Sequence, residues 1–204
     1  MRNFEMDCIC KSETVLIRKL RDCDDDYNLF VKWLSDPAVL DYYEGRSNPF
    51  DLDKVKKKFA HRARGESRVN VGVIECNMKP IGFVQFYRIT PNEYNENDLI
   101  YMQDFQMPYG MDIVIGETSY WNKGIGTEIL QTLINHLFEH HNVDIVFIDP
   151  QTWNKRAIRC YEKCGFKAID IIKERELHDG EYKDSLIMCI TPDKRIIRRK
   201  IDKH

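Results

Sequence analysis

The sequence predicts a single mixed α/β domain with one central sheet flanked by helices. Apolar segments of strand length alternate with amphipathic segments of helical length along most of the chain. The 204 residues are enough for one domain, and the 43% hydrophobic content is enough for one sizeable core. We expect one domain over 1–204, with a core of about 14–190 and a basic tail at 191–204.

The first half of the chain is predicted to form a strand, two helices and a hairpin. Thr14 to Leu20 forms the first predicted strand. The segment DCDDDYNLFVKWLSDP has an acidic start and apolar residues on one face, so it predicts a helix that Pro37 should stop. DLDKVKKKFAHRAR predicts a second, more polar helix. The strands VNVGVIEC and IGFVQFYRI are joined by NMKP, which is typical of a hairpin turn.

The second half is predicted to alternate strands with helices and to close on a hairpin. GMDIVIGE and DIVFIDP are buried strands, and each precedes a helix, KGIGTEILQTLINHLFEHH and NKRAIRCYEKCGF respectively. Gly165 is expected to end the latter helix, and the last two strands turn at Asp179 and Gly180. The predicted order is β-α-α-β-β-β-α-β-α-β-β. Residues 91–107 are polar, acidic and aromatic without a period, which is typical of a functional or disordered loop.

Charge and composition narrow the classes of function. The formal net charge of −2 gives no overall field for nucleic acid or a membrane, and no apolar run is long enough to span a bilayer. The first ten residues lack the apolar stretch of a signal peptide, so we expect a cytoplasmic protein. Seven scattered cysteines suit reduced thiols, and their spacing does not predict a metal site. The basic tail is more simply a solvated end than a binding segment.

The stretch SYWNKGIGTEIL raises the question of why two glycines come directly before a helix. The first amides of a helix lack internal acceptors, and the helix dipole adds positive charge there, so an anion can bind. Glycines let a ligand approach the backbone, and Lys123 adds a charge. Taken alone, the pattern more often marks a plain tight turn, and it is neither a Walker loop nor a full dinucleotide fingerprint.

A second motif strengthens the anion-binding interpretation. NKRAIRCYEKCGF follows after another strand, and the two motifs together resemble those of the GNAT acyltransferase superfamily over Thr14 to Ile190. The resemblance implies a GNAT fold with splayed parallel strands 4 and 5, and acetyl-CoA held on an Arg/Gln-x-x-Gly-x-Gly/Ala loop. Here Trp121 replaces the leading Arg or Gln. The implied cofactor-binding residues are Ile113, Val114, Ile115, Asn122, Lys123, Gly124, Ile125, Gly126, Thr127, Asn154, Ala157, Tyr161 and Lys163.

Within the superfamily, YYEGR, PIGFVQFY, YGMDIVIGE and ELHDGEYKD resemble the aminoglycoside 6′-N-acetyltransferases. The resemblance implies direct transfer of acetyl from acetyl-CoA to the 6′-amine of an aminoglycoside, which confers antibiotic resistance. It implies Asp112 as the base or anchor of the amine and Tyr161 as the acid for the departing thiolate. The implied substrate-binding residues are Tyr43, Gln85, Asp98, Tyr109, Asp112 and Asp149.

Simpler interpretations remain open for several of these features. The acidic loop is also consistent with ordinary solvated surface. Asp112 is also consistent with a strand aspartate that pairs locally, and Tyr161 with an aromatic residue of the core. Gln85 is as consistent with a strand glutamine whose hydrogen bonds are satisfied within the protein as with a substrate-binding residue. Tyr43 is in the same way as consistent with a partly buried aromatic. Other acceptors are a siderophore precursor, a polyamine or a protein amine, and a non-enzymatic module that binds coenzyme A or zinc is a further alternative. A monomer and a dimer both fit.

Overall fold

The computed structural model describes residues 7–90 and 105–193, and these residues form one sheet with helices on both faces. The strands are β1 Cys8–Lys11, β2 Val15–Lys19, β3 Asn70–Cys76, β4 Lys79–Arg88, β5 Pro108–Ile115, β6 Ile145–Ile148, β7 Lys167–His178 and β8 Glu181–Ile190. The helices are α1 Asp24–Trp33, α2 Pro37–Leu40, α3 Leu52–Ala63, α4 Ile125–His140 and α5 Lys155–Cys164. The strand order across the sheet is β1-β2-β3-β4-β5-β6-β8-β7.

The prediction that Thr14 to Leu20 forms the first strand was wrong. Cys8–Lys11 precedes it as β1 and pairs with β2 in antiparallel fashion. A tight turn joins them, in which the Ser12 amide donates to the Val15 carbonyl at 2.8 Å. A strand of four residues is too short to show a period in the sequence. The splayed pair is therefore the fifth and sixth strands of the chain, not the fourth and fifth.

The expectation that Pro37 stops α1 was also wrong. The helix ends at Trp33, and Pro37 instead opens the short helix α2. The fixed φ of proline suits a first helical position, and the Asp36 side chain accepts a hydrogen bond from the Ala38 amide at 2.9 Å. This extra turn places Tyr42 and Tyr43 directly after it.

The predicted parting of two parallel strands is present. β5 pairs with β4 along its whole length, from Gly82 opposite Ile115 to Arg88 opposite Tyr109. Its parallel pairing with β6 in the described residues is confined to 108–110 opposite 145–147. Beyond Gly110 the two strands diverge and leave a gap in the middle of the sheet.

Helices cover this sheet in two separate layers. The layer of α4 and α5 packs on one face, where the predicted apolar residues Ile129, Leu133 and Leu137 are buried. The layer of α1 and α3 covers the other face through an aromatic cluster around Phe30, whose ring lies 4.6 Å from that of Phe83. None of the helices in the described residues is long and apolar enough to cross a membrane.

A buried ion-pair triad ties α1 to the sheet. The Arg18 guanidinium donates to both carboxylate oxygens of Asp26, at 2.6 and 2.9 Å, and its Nε donates to Glu75 at 2.7 Å. All three side chains are buried, so each charge depends on the others for compensation.

Replacing Arg18 by Met should lower the free energy of unfolding by about 3–5 kcal/mol, because two buried carboxylates lose their counter-ion. Urea-induced unfolding would measure the change. The matched control is Arg21→Met, which removes the partly exposed pair with Asp7 at 2.9 Å and should cost less than about 1 kcal/mol. Equal losses in the two variants would contradict the prediction.

Candidate active site

The gap between β5 and β6 opens into a cleft of about 720 Å³. Residues of the hydrophobic clusters on both faces of the sheet line it, so the cleft passes through the plane of the sheet. Its aromatic lining consists of Tyr42, Tyr43, Tyr87, Tyr120, Trp121 and Tyr161. A bound molecule would therefore touch side chains from both faces of the sheet.

The two positions of the loop before α4 that carry glycine require it for different structural reasons. Gly124 caps the helix with a φ of +82°, and no described atom lies within 4 Å of a Cβ built there. Its left-handed backbone, rather than crowding inside the protein, requires glycine. At Gly126 a Cβ would lie 3.2 Å from Cys160 Sγ, so this glycine lets α5 approach α4. The loop thus combines a tight helix start with open space over its amides.

The structure brings most of the predicted loop residues to the cleft. Asn122, Gly124, Gly126 and Thr127 line it, whereas Lys123 and Ile125 do not. Because α4 runs for 16 residues, the dipole at its first turn is well developed. This end of the cleft can hold an anion.

Helix α5 contributes the predicted residues of the second motif. The Asn154 side chain caps the helix by accepting from the Ala157 amide at 3.1 Å, and both residues line the cleft. Tyr161 lies deeper and only 7% of its surface is exposed. Burial raises the pKa of its phenol, so the hydroxyl stays protonated at neutral pH. Lys163 lines the cleft further along the helix.

Along β5, the backbone amide and carbonyl groups of successive residues point alternately to β4 and to the gap. Ile89 donates to the carbonyl of Pro108 at 2.8 Å, and antiparallel alternation then directs the amide groups of Asp112 and Val114 to β4. The backbone groups of Val114 therefore pair with β4 and face away from the gap, although its side chain lines the cleft. The backbone groups of Ile113 and Ile115 point towards the gap. Of these, the Ile115 carbonyl accepts a hydrogen bond from the Trp121 indole at 2.8 Å.

Asp112 stands at the apex of the gap, opposite Gln85 on β4. The Gln85 amide donates to Asp112 Oδ2 at 3.3 Å and lies 3.2 Å from the Tyr43 hydroxyl. Arg62 of α3 donates to the amide oxygen of Gln85, which orients the NH₂ group towards the carboxylate. Gln85 itself is buried and does not line the cleft. It links Arg62 to Asp112 rather than facing a ligand.

The carboxyl of Asp112 is poised near neutrality. Burial is the largest cause that raises its pKa, to about 7, and the negative charges of Asp149 and Glu176 act in the same direction. Two cations on α3, Lys58 and Arg62, pull that pKa downward. The group can therefore accept a proton at physiological pH.

Two more carboxylates lie in the cleft near Asp112. Asp149 follows β6 and accepts from Arg175 at 3.2 Å, but burial still raises its pKa. Glu176 comes from β7 and accepts from the buried Gln151 side chain at 2.9 Å. Sequence reasoning did not name Glu176 as a site residue, although Glu176 is the first residue of the stretch ELHDGEYKD, which was its signal.

Among the predicted acceptor residues that the structure describes, Gln85 and Tyr109 do not line the cleft. Tyr109 is buried in the core under α4, because strand alternation points it to the face opposite Asp112. Asp98 lies outside the described residues, as does most of the acidic loop. Tyr43, Asp112 and Asp149 do line the cleft.

The seven cysteines are all free thiols. In residues 7–90 and 105–193, no group of three or more metal-binding side chains is placed to hold a metal ion. Cys160 lines the cleft beside Gly126, so a modification there would obstruct it.

Comparison with known proteins identifies related sequences. The chain matches the acetyltransferase (GNAT) domain over residues 14–167. An aminoglycoside N(6')-acetyltransferase type 1 of Klebsiella pneumoniae is 26% identical over 157 residues, which are 76% of this chain and 75% of that protein. A spermidine N(1)-acetyltransferase of Escherichia coli (strain K12) is 22% identical over 174 residues, 85% of this chain and 80% of that protein.

Solved structures share the fold. The aminoglycoside acetyltransferase AAC(6')-Ib in complex with coenzyme A and kanamycin has a TM-score of 0.70 at 22% identity, covering 89% of this chain and 96% of that chain. The spermidine N-acetyltransferase from Vibrio cholerae in complex with CoA and spermine has a TM-score of 0.70 at 19% identity, covering 90% and 98%.

Replacing Arg62 by Met should raise the pKa of Asp112, because a cation that favours the carboxylate is removed and Gln85 loses the group that orients it. The ¹³C chemical shift of the carboxyl, assigned with Asp112→Asn, would report the midpoint without any ligand. The control is Arg64→Met, whose exposed guanidinium pairs with Glu66. An unchanged or lower midpoint in Arg62→Met would refute the prediction.

Proposed function

The chain belongs to the acetyltransferase (GNAT) family, and from that premise we propose that it transfers acetyl from acetyl-CoA to the 6′-amine of an aminoglycoside. The observation that carries this proposal is the position of Asp112, a carboxyl with a pKa of about 7 at the apex of the gap. The similarity to the Klebsiella pneumoniae aminoglycoside acetyltransferase supports the same acceptor.

Acetyl-CoA supplies an activated acetyl group as a thioester. Its diphosphate would lie on the amides that open α4, where the dipole and the bare backbone of Gly124 favour an anion. Its pantetheine arm would lie beside Ile113 and Ile115, whose backbone groups face the gap like an unpaired strand edge. The thioester would then lie between Asp112 and Tyr161.

Asp112 and Tyr161 would handle the two protons of the transfer. The carboxylate of Asp112 takes a proton from the amine as its nitrogen bonds to the carbonyl carbon, and a pKa of about 7 suits a base at neutral pH. The carbon–sulfur bond then breaks, and the Tyr161 hydroxyl donates its proton to the departing thiolate. Because burial raises the pKa of Tyr161, the phenol is protonated at neutral pH and so carries a proton to donate.

The acceptor side of the cleft suits a polycation with sugar rings. Asp149 and Glu176 add negative charge beside Asp112, and an aminoglycoside carries several ammonium groups. Tyr43 and Tyr87 supply aromatic walls against which ring faces can pack. A linear polyamine would use the same carboxylates but gain less from the walls, so it is the competing acceptor.

The decisive experiment compares the two acceptors in one assay. Coenzyme A release would be followed by a thiol reagent that leaves the enzyme active, with kanamycin or spermidine as acceptor and acetyl-CoA saturating. We expect turnover at micromolar kanamycin and raised resistance in a susceptible host that carries the gene. Turnover of spermidine without turnover of kanamycin would reject the aminoglycoside and assign the polyamine.

Asp112→Asn should lower kcat by about 10²–10⁴-fold, since the amide cannot accept the proton. In the unsubstituted enzyme, kcat/KM should fall about tenfold per pH unit below pH 7, because protonated Asp112 is inactive as a base. Steady-state rates across pH 5.5–9 would measure both effects. The control Glu139→Gln alters an exposed carboxylate of α4 and should leave the profile unchanged.

Tyr161→Phe should lower kcat by about tenfold to a hundredfold, because a thiolate is only a moderately poor leaving group. The KM for acetyl-CoA should change little, since the ring stays in place. Tyr182→Phe, at a residue 64% exposed, is the matched control. A rate for Tyr161→Phe equal to that of the control would remove the proposed acid.

A further inference from the structure

Arg156 packs into the corner that two aromatic rings form at the edge of the cleft. The centre of its guanidinium lies 3.7 Å from the Trp121 ring centroid and 4.3 Å from that of Tyr42. The two rings themselves meet edge to face at 5.8 Å. Because the two rings are perpendicular, at an interplanar angle of 88°, one ring can lie on a flat face of the guanidinium while the other lies against its edge. The N–H donors on the other edges stay available to a ligand.

This cation has no anionic partner in the part of the chain that the structure describes. Arg156 makes no ion pair there, in contrast to Arg18, which two carboxylates surround. The side chain is half-buried, and burial lowers its pKa. Removing a cation from water without a counter-ion costs free energy, so an anion that reaches Arg156 should bind well.

Arg156 lies close to the loop before α4, which indicates the part of a ligand that it would meet. Trp121 opens the loop before α4, and Asn122 and Gly124 of that loop line the same cleft as Arg156. The GNAT motif expects Arg or Gln at residue 121, where this chain has Trp. Arg156 of α5 therefore brings a cation to the loop position where this chain has Trp121.

We infer that Arg156 binds the diphosphate of acetyl-CoA, with Trp121 and Tyr42 as the positioning residues that clamp it; this inference rests on the proposed cofactor. A planar guanidinium can donate two parallel hydrogen bonds to phosphate oxygens. The clamp fixes that plane before the ligand arrives, which reduces the entropy lost on binding. Arg159 and Lys163 also line the cleft from α5, but both are exposed and unclamped.

The test measures the dissociation constants of coenzyme A, dephospho-coenzyme A and pantetheine by calorimetry, or by displacement for the weakest ligand. Arg156→Met should weaken coenzyme A and dephospho-coenzyme A equally, by about tenfold to a hundredfold, and leave pantetheine unchanged. The matched control is Lys155→Met, which removes a neighbouring positive charge that does not line the cleft. It should change none of the three affinities by more than about twofold.

Three outcomes would overturn the inference. Equal losses for pantetheine would mean that Arg156 only packs the cleft. A loss for coenzyme A without one for dephospho-coenzyme A would assign the residue to the 3′-phosphate. Unchanged binding would remove it from the site.

A second variant guards against misfolding of the first. Tyr42→Leu keeps Arg156 but removes one of the two rings against it, and it should weaken both diphosphate ligands while pantetheine binds as before. Failure of the unsubstituted protein to bind coenzyme A would overturn both this inference and the proposed function. Binding with the expected losses, but without acetylation of kanamycin, would keep Arg156 and reject only the acceptor.

Discussion

Strand β5 has β4 along one edge for its whole length and, in the described residues, has β6 along the other edge only at 108–110. Backbone groups beyond that point face an opening rather than a neighbouring strand. An unpaired strand edge inside a protein is costly unless something pairs with it. The cleft, and the position of the half-buried Asp112 in its lining, both follow from this incomplete pairing.

The two sides of the sheet contribute different chemistry to that opening. From the face of α1 and α3 come Asp112 and the cations that moderate its pKa, Lys58 and Arg62. From the face of α4 and α5 come the helix N-terminus and Tyr161. Burial and neighbouring carboxylates push the pKa of Asp112 up, and the α3 cations hold it near 7. The pKa of this carboxyl thus depends on the neighbouring charges as well as on its burial.

At Trp121 this chain differs from the family motif, yet the backbone geometry of the loop before α4 is kept. Its indole bonds to the Ile115 carbonyl at the gap, and its ring covers Arg156. The same substitution that removes a polar side chain from the loop therefore fixes both the strand edge and a cation on another helix. The helix start needs only the left-handed backbone of Gly124, which the substitution leaves intact.

Local patterns determined the elements of this protein. The hairpin at Asp179 and Gly180, where both residues have positive φ, and the end of α5 at Gly165 depend on backbone angles that adjacent residues set. Strand alternation likewise turned Asp112 towards the cleft. Such features need no information from distant parts of the chain, apart from short elements such as β1 that show no period.

Only the tertiary structure decided which distant residues meet at the site. Arg62 reaches Asp112 through Gln85, Glu176 joins Asp149 from β7, and Arg156 lies over Trp121. Tyr109 matched an expected position but faces the core. Contacts between residues far apart in sequence arise from strand register and helix packing, and neither periodicity nor composition encodes them. The sequence thus identified the chemistry at the gap, whereas packing selected the charges that tune it.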